Sequence, residues 1–343
     1  MSLDTFGKVP TGKRLERIKK SPHYKNGSFQ NLTETTLSFT PQKMYDTIKR
    51  RTSEKEKEPR YPLPGIQTNL SALTATAPTV VWFGHSSYLL NINGKNFLVD
   101  PVFSGYASPF SFGVKAYKHE AIYNANNMPD IDILVQTHDH YDHLDYETIQ
   151  ALKGRVKHFV TPLGVGAHLE FWGIDADKIH ELDWNESITI FDDFQFTALP
   201  SRHFSGRTLK RNQSLWASYA LQVPGYKMYL GGDSGYGTHF KEIGEMHGPF
   251  DLTILECGQY DKNWHQIHMM PEETVQAAAD LQSKLLLPVH WAKFTLSLHA
   301  WHSPIIRATA HADKLGINYT TPLVGEPFTL GETVPKERWW EAK

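Results

Sequence analysis

His138-Asp139-His140-Tyr141-Asp142-His143 decides how this chain is read. Five of these six side chains can ligate a metal or carry a proton. The stretch closely follows Ile131–Val135, an apolar run broken only by Asp132, which predicts a strand emptying into a ligand-rich loop. Neutral imidazole is the commonest metal ligand, and a carboxylate beside it suits Zn²⁺, Mn²⁺ or Fe²⁺. Four ligands within six residues exceed what one tetrahedral catalytic ion can use, because such an ion keeps a position for water. The spacing therefore predicts two adjacent metals, with His138 and His140 on one and Asp142 and His143 on the other.

Three later positions supply the remaining ligands. His203 follows the alternating run Phe194–Leu199, Asp233 follows Tyr229-Leu230-Gly231-Gly232, and His290 follows Leu285–Val289. Each is the first strong ligand type after a short buried-looking run, and ligands that recur at strand ends can share one edge of a rigid sheet. Gly231 and Gly232 lack a Cβ, so the backbone can approach closely at Asp233.

The order H-x-H-x-D-H, His, Gly-Asp, His resembles the metallo-β-lactamase superfamily, and Asp100-Pro101 after Asn96–Val99 matches its early strand-end Asp. The finer resemblance is to its N-acyl-phosphatidylethanolamine-hydrolysing phospholipase D branch. It is carried by Trp82-Phe83-Gly84-His85-Ser86-Ser87, the Asn93–Pro101 stretch, His138–Asp145, Arg207-Thr208, Leu215-Trp216, His268 with Pro271-Glu272-Glu273, and His290-Trp291. It runs from about residue 75 to about residue 300. The resemblance implies an αββα sandwich, two zinc ions (Mn²⁺ or Fe²⁺ as alternatives), and a phosphodiesterase acting on N-acyl-phosphatidylethanolamine-like lipids. A hydroxide on the metals would attack phosphorus. Asp142 takes a catalytic as well as a metal role, His268 donates a proton or orients the phosphate, and His85 and Asp100 orient ligand imidazoles. Two divalent cations outweigh Asp142, Asp233 and one hydroxide by about one positive charge, which favours an anionic phosphodiester. His140 stands where a redox di-iron relative typically carries a carboxylate, giving a nitrogen-rich site suited to zinc and hydrolysis. Lactone or carboxyl-ester hydrolysis of a soluble anion, and metal binding without catalysis, are the competing functions.

With 343 residues and 40% apolar content, the chain can bury a substantial core. We divide it into an N-terminal extension and linker, 1–70, and a hydrolase domain, 71–343. The N-terminus lacks the apolar core of a signal peptide, and no run reaches the roughly 20 apolar residues of a membrane span. The single cysteine, Cys257, excludes an intrachain disulfide and reads as a core thiol. These features predict a cytoplasmic protein, with membrane contact limited to its periphery. A net charge of −2 gives no basic footprint for nucleic acid. The expected partners are the anionic phosphodiester or phospholipid and a second copy in a homodimer. Lys13, Arg14, Arg17, Lys19, Lys20 and Lys25, then Lys49, Arg50, Arg51, Lys55 and Lys57, form basic runs that could meet anionic headgroups. Phe103, Tyr106, Phe110, Phe112, Tyr117, Tyr123, Trp291, Phe294 and Trp301 could line an acyl cleft or serve as ordinary core.

Element signals begin near Ala77. They predict a hairpin turning at Asn93-Gly94, a helix capped by Asp145 and stopped by Gly154, and a second hairpin of 215–223 and 227–230 around Pro224-Gly225. Further strands are expected at 80–83, 156–160, 188–190 and 194–199, and helices near 165–172 and from Pro271. The segment Arg50–Pro64 reads as an exposed connection.

Overall fold

The computed structural model describes residues 3–36 and 56–341. A first helix, α1 (Gly12–Ile18), precedes a short hairpin of β1 (Tyr24–Lys25) and β2 (Ser28–Phe29). Strands β3 (Thr79–Trp82), β4 (Tyr88–Ile92), β5 (Lys95–Val99), β6 (Ile131–Val135), β7 (Val156–Pro162) and β8 (Ile179–Leu182) build one sheet, interleaved by α2 (Tyr146–Leu152) and α3 (Gly166–Phe171). The second sheet comprises β9 (Ser187–Ile190), β10 (Phe194–Leu199), β11 (Ser218–Val223), β12 (Tyr226–Leu230), β13 (Leu252–Glu256) and β14 (Leu286–Val289). Helices α4 (His239–His247), α5 (Pro271–Asp280) and α6 (Ser303–Leu315) accompany it. Finally β15 (Pro327–Thr329) returns to pair with β3 in the first sheet.

Residue types account for the layering. Asn93 and Gly94 adopt φ of 51° and 70°, the positive values that a two-residue turn between right-twisted strands needs. Pro224-Gly225 closes the second hairpin, with Gly225 at φ 80° as a type II turn requires. The first sheet alternates across its plane. Val80, Trp82, Leu90, Phe97 and Val135 meet Phe196, Tyr219, Leu221 and Leu230 of the second sheet. Val81, Leu89, Leu98, Leu134 and Phe159 face away, against Ile149, Leu152, Leu169 and Trp172 of the α2 and α3 layer. Strands apolar on both faces are covered on both faces, and the result is the αββα sandwich.

Some boundaries differ from the sequence expectation. Leu215–Ala217 do not extend β11, because their amides turn to the first sheet: Leu215 donates to the Leu163 carbonyl and Ala217 to that of Thr137. Asp145 does cap α2, accepting from the Glu147 amide at 3.2 Å, but Gly154 is no stop. The helix instead tightens into a 3-10 turn over Lys153–Arg155. Ahead of the sandwich, Ile18 and Phe29 bury fully in the inter-sheet cluster, so the N-terminal part is packed against it. Within the connection proposed over Arg50–Pro64, Arg50–Lys55 lie outside the described residues, as do Lys49 and its neighbours. Leu63 is buried and Tyr61 exposed. Cys257 is a buried free thiol. No helix among the described residues is long and apolar enough to cross a membrane.

Phe97 has no solvent exposure and lies 5.2 Å, ring to ring, from Phe194 and 6.1 Å from Phe196. Phe97→Ala should therefore destabilise the fold by about 3–5 kcal/mol. Urea denaturation would measure it, and a loss below about 1 kcal/mol would show that the two sheets do not depend on this contact.

Candidate metal centre

Strand direction explains where the ligands gather. β3, β5, β6, β7 and β8 run in one sense, with β4 opposed; β10, β12, β13 and β14 share another sense, with β9 and β11 opposed. The C-terminal ends of β3, β5, β6, β10, β12, β13 and β14 carry His85, Asp100, the His138–His143 loop, His203, Asp233, Glu256 and His290. The antiparallel strands carry none of these residues. Two loops join the sheets directly, since the His290 amide donates to the His85 carbonyl and the His85 amide to that of Trp291. Here the backbone is strained: His85, Asp100, His290 and Ala292 have φ of 54°, 41°, 69° and 61°. Non-glycine residues in this region cost about 1–3 kcal/mol each and persist where surrounding structure enforces them.

Three groups of potential ligand atoms occur among the described residues; two involve the His138–His143 loop, and the third joins Asp233, Glu256, His268 and His290. In the first, His138 Nε2 and His203 Nε2 lie 3.0 and 3.2 Å from His140 Nδ1, and each stands 3.7 Å from Asp233 Oδ2. Nitrogens bound at about 2.0–2.1 Å around one tetrahedral ion would be roughly 3.3 Å apart, so this spacing is that of a coordination shell. The second group brings together His85, Asp142, His143 and His290, with ligand atoms within 4.8 Å of one another. Asp233 Oδ1 reaches it, 3.3 Å from His143 Nε2 and 3.2 Å from His290 Nδ1. All seven residues expected as ligands are thus assembled.

Hydrogen bonds behind the rings fix which nitrogen is available. His203 Nδ1 must donate to the Ile267 carbonyl at 2.9 Å, leaving Nε2 with its lone pair. His143 Nδ1 donates to Asp100 Oδ2 at 2.8 Å. The Thr137 hydroxyl donates to the same carboxylate at 2.6 Å, so it accepts from His138 Nδ1 at 3.0 Å. His143 Nε2, His290 Nε2 and Asp233 Oδ1 are buried without a hydrogen-bond partner, which a metal between them would supply. Burial also keeps His138, His203 and His290 neutral, their pKa values lying well below the usual imidazole range. His143 is the exception. Burial lowers its pKa, but Asp233, Asp142 and Asp100 together raise it well above normal, so these carboxylates call for positive charge at this point.

Asp100 Oδ2 accepts from His143 Nδ1, and the ring of His85 bears on a carboxylate. Its Nε2 lies 3.0 Å from Asp142 Oδ2, placing it among the second ligand group and against the carboxylate. His268 lines a cavity of about 240 Å³ over the ligands, with Phe204, Arg211, Gln259, Trp264, Ile267 and Leu296 among its walls. None of the nine aromatics expected at an acyl cleft lines it. Trp291 and Phe294 are buried in the core, and Phe112 is exposed elsewhere. Sequence reasoning missed Glu256. This buried carboxylate accepts from His268 Nδ1 at 2.8 Å and from the Ser234 amide at 2.9 Å. It ends β13, so the same strand-end criterion that found Asp233 would have found it.

Arg207 anchors the metal loop from behind. Its Nη1 donates to the carbonyls of Asp139 and Leu144 at 2.8 and 2.7 Å, and its Nη2 to Thr5 of the N-terminal segment at 2.6 Å. Removing the guanidinium in Arg207→Gln leaves buried acceptors unpaired, an expected loss of about 1–3 kcal/mol. Denaturation midpoints of the two proteins would measure it. An unchanged midpoint would remove Arg207 from the support of this loop.

The comparisons agree with the geometry. Residues 95–291 match the model of the beta-lactamase superfamily domain. An uncharacterized protein of Mycobacterium tuberculosis is 40% identical over 94% of this chain and 88% of its own length. N-acyl-phosphatidylethanolamine-hydrolyzing phospholipase D 1 of Caenorhabditis elegans is 33% identical over 63% of this chain, and the match spans 64% of that enzyme. Among solved structures, a metallo hydrolase of Ignicoccus hospitalis superposes with a TM-score of 0.57 and 17% identity, covering 75% of this chain and 100% of its own. With its His/Asp cluster suited to metal, the chain belongs to the metallo-β-lactamase superfamily as a metal-dependent hydrolase.

Proposed function

We propose that the protein is a binuclear phosphodiesterase of phospholipase D type, acting on N-acyl-phosphatidylethanolamine-like lipids. The observation that carries this reading is Asp233, whose Oδ2 faces the His138–His140–His203 group and whose Oδ1 faces His143 and His290. One carboxylate offered to two ligand groups is the arrangement of a bridging ligand. His138 and His203 through Nε2, and His140 through Nδ1, would hold one cation; Asp142, His143 and His290 would hold the other. His85 would set the position of Asp142. Nitrogen-rich ligation favours zinc over the Mn²⁺ and Fe²⁺ alternatives. When bound, such a metal pair supplies Lewis acidity and lowers the pKa of a coordinated water.

The chain's own groups do the rest. Arg211, on the cavity wall, offers a fixed positive charge to a phosphodiester. Phe204, Trp264, Ile267 and Leu296 exclude water and can contact the first methylenes of an acyl chain. His268 is the candidate acid. Its Nδ1 is held by Glu256, leaving Nε2 to deliver a proton to the leaving oxygen. Burial pushes Glu256 up to about 7, and this partner raises His268 to about 9 against the lowering effect of its own burial. The proton therefore sits on the pair at neutral pH. The similarity to the worm enzyme supports the substrate class.

Elemental analysis of metal-replete protein should return about two zinc-like ions per chain, and Asp233→Asn should lose metal and activity together. No more than one ion in the wild type, or full retention of metal and activity in the variant, would end the binuclear reading.

His268→Ala should keep the metal content and melting temperature while lowering kcat about 10²-fold on N-acyl-phosphatidylethanolamine. A generic phosphodiester and a lactone assayed alongside place the substrate. Turnover of the lactone alone would transfer the site to lactone hydrolysis, and unchanged kcat in the variant would remove His268 from the chemistry.

A further inference from the structure

The basic run at the N-terminus is partly occupied. Arg14 pairs with Glu170 and Glu181, both at 2.6 Å, and Arg17 with Glu186 at 2.7 Å. These contacts fasten α1 to the sandwich, so two of its cations face protein carboxylates. A different basic segment stands beside the catalytic cavity. The loop from Ser205 to Asn212 is closed at its neck: the Asn212 amide donates to the Ser205 carbonyl at 2.9 Å, and Ser205 Oγ donates to the Ser214 carbonyl at 2.6 Å. The Asn212 carbonyl in turn accepts from the Phe29 amide at 2.9 Å, tying the loop to the β1–β2 hairpin. At the tip of this pinned loop, Leu209 is fully exposed and is followed by exposed Lys210 and Arg211. No ion pair occupies either cation among the described residues. Arg211 lies over the Phe204 ring at 5.1 Å, and both residues line the cavity.

A second exposed apolar residue lies on a segment bonded to the cavity residue His203. Asn31 bonds the backbone of His203 on both sides, its Nδ2 donating to the carbonyl at 2.8 Å and its Oδ1 accepting from the amide at 3.1 Å. The segment then passes Arg202 and Gln266, and Leu32 within it is 59% exposed. Leu296, on the cavity wall itself, is also exposed. An isolated exposed leucine is ordinary. Exposed leucines on hydrogen-bonded segments that adjoin the cavity residues His203 and Arg211, beside cations with no ion pair among the described residues, have the composition of a peripheral membrane contact.

We propose that this rim, with Leu209 as its apolar tip and Lys210 and Arg211 as its charge, docks the protein on an anionic phospholipid surface. Docking here sets the cavity mouth against the bilayer, so a lipid headgroup can enter while its chains remain among their neighbours. The role assigned to the surface rests on the lipid-hydrolase reading, but its affinity for membrane can be measured without turnover.

Co-sedimentation of the full chain with phosphatidylcholine vesicles, with and without phosphatidylserine, tests the surface. Wild type should pellet with the anionic vesicles and be released by salt. Leu209→Asp should lower partitioning about tenfold or more, Lys210→Gln about five-fold, and Leu209→Phe should retain it. Turnover of soluble bis(p-nitrophenyl) phosphate should be the same in all four proteins. Wild type that stays in the supernatant with every vesicle overturns the proposal, as does Leu209→Asp that binds like wild type. So does loss of binding only on neutralising Lys13, Lys19 and Lys20. Absence of soluble phosphodiester turnover in the wild type counts against the phosphodiesterase reading alone, leaving the vesicle result to decide the docking surface.

Discussion

Four donors converge on one carboxylate. Asp100 accepts from Gln136 Nε2, the Thr137 amide, the Thr137 hydroxyl and His143 Nδ1, all within 2.9 Å. It stands where β5 ends, while the donors belong to the loop leaving the adjacent parallel strand β6. The carboxylate therefore transmits the sheet's rigidity to the metal loop. It also selects the His143 tautomer directly and the His138 tautomer through Thr137, so two imidazoles present Nε2 to the two oxygens of Asp233. The left-handed backbone of Asp100 is the strain this arrangement imposes, and the four bonds are sufficient to hold it.

A charge problem follows from the same convergence. Asp100, Asp142 and Asp233 surround His143 in a setting where burial disfavours every ionised form. Burial holds the pKa values of His138, His203 and His290 well below the usual imidazole range, and other nearby imidazoles lower them further. A buried cluster of acceptors and lone pairs with so few donors is stable as a receptor for cations. The positive-φ turns at His85 and His290 close that receptor by linking the ends of the two sheets through reciprocal backbone bonds.

What was legible in the sequence had a local physical signature. The hairpin at Asn93-Gly94 is written in residues that tolerate positive φ, and β6 is written in its apolar run. His203, Asp233 and His290 were legible as candidate ligands because each is the first strong ligand type after such a run. Less was visible where the determinants are tertiary. β8, with His180 and Glu181 among its four residues, carries no alternation and exists because β7 offers a parallel edge. β15 is three residues long and pairs with β3, more than 240 positions away. α6 carries readable signals in Pro304 and the left-handed Gly316 cap, but it lies past residue 300, beyond the last family motif. The cavity's apolar walls were also hidden, because Phe204 and Trp264 differ from core aromatics only in where their loops place them.

Glu256 shows how composition and position must be weighed together. A carboxylate closing a fully buried strand is costly unless donors await it, and three do: His268 Nδ1, the Ser234 amide and the Met269 amide. Ser234 follows the carboxylate placed between the two ligand groups, and Met269 follows His268. One buried group thus couples the turn that presents Asp233 to the imidazole facing the cavity. Its position in the second sheet mirrors that of Asp100 in the first, each an acid at a strand end gathering loop donors and one histidine. The two halves of the sandwich use the same device for different ends: Asp100 directs a ring toward the metal side, and Glu256 directs one toward the cavity.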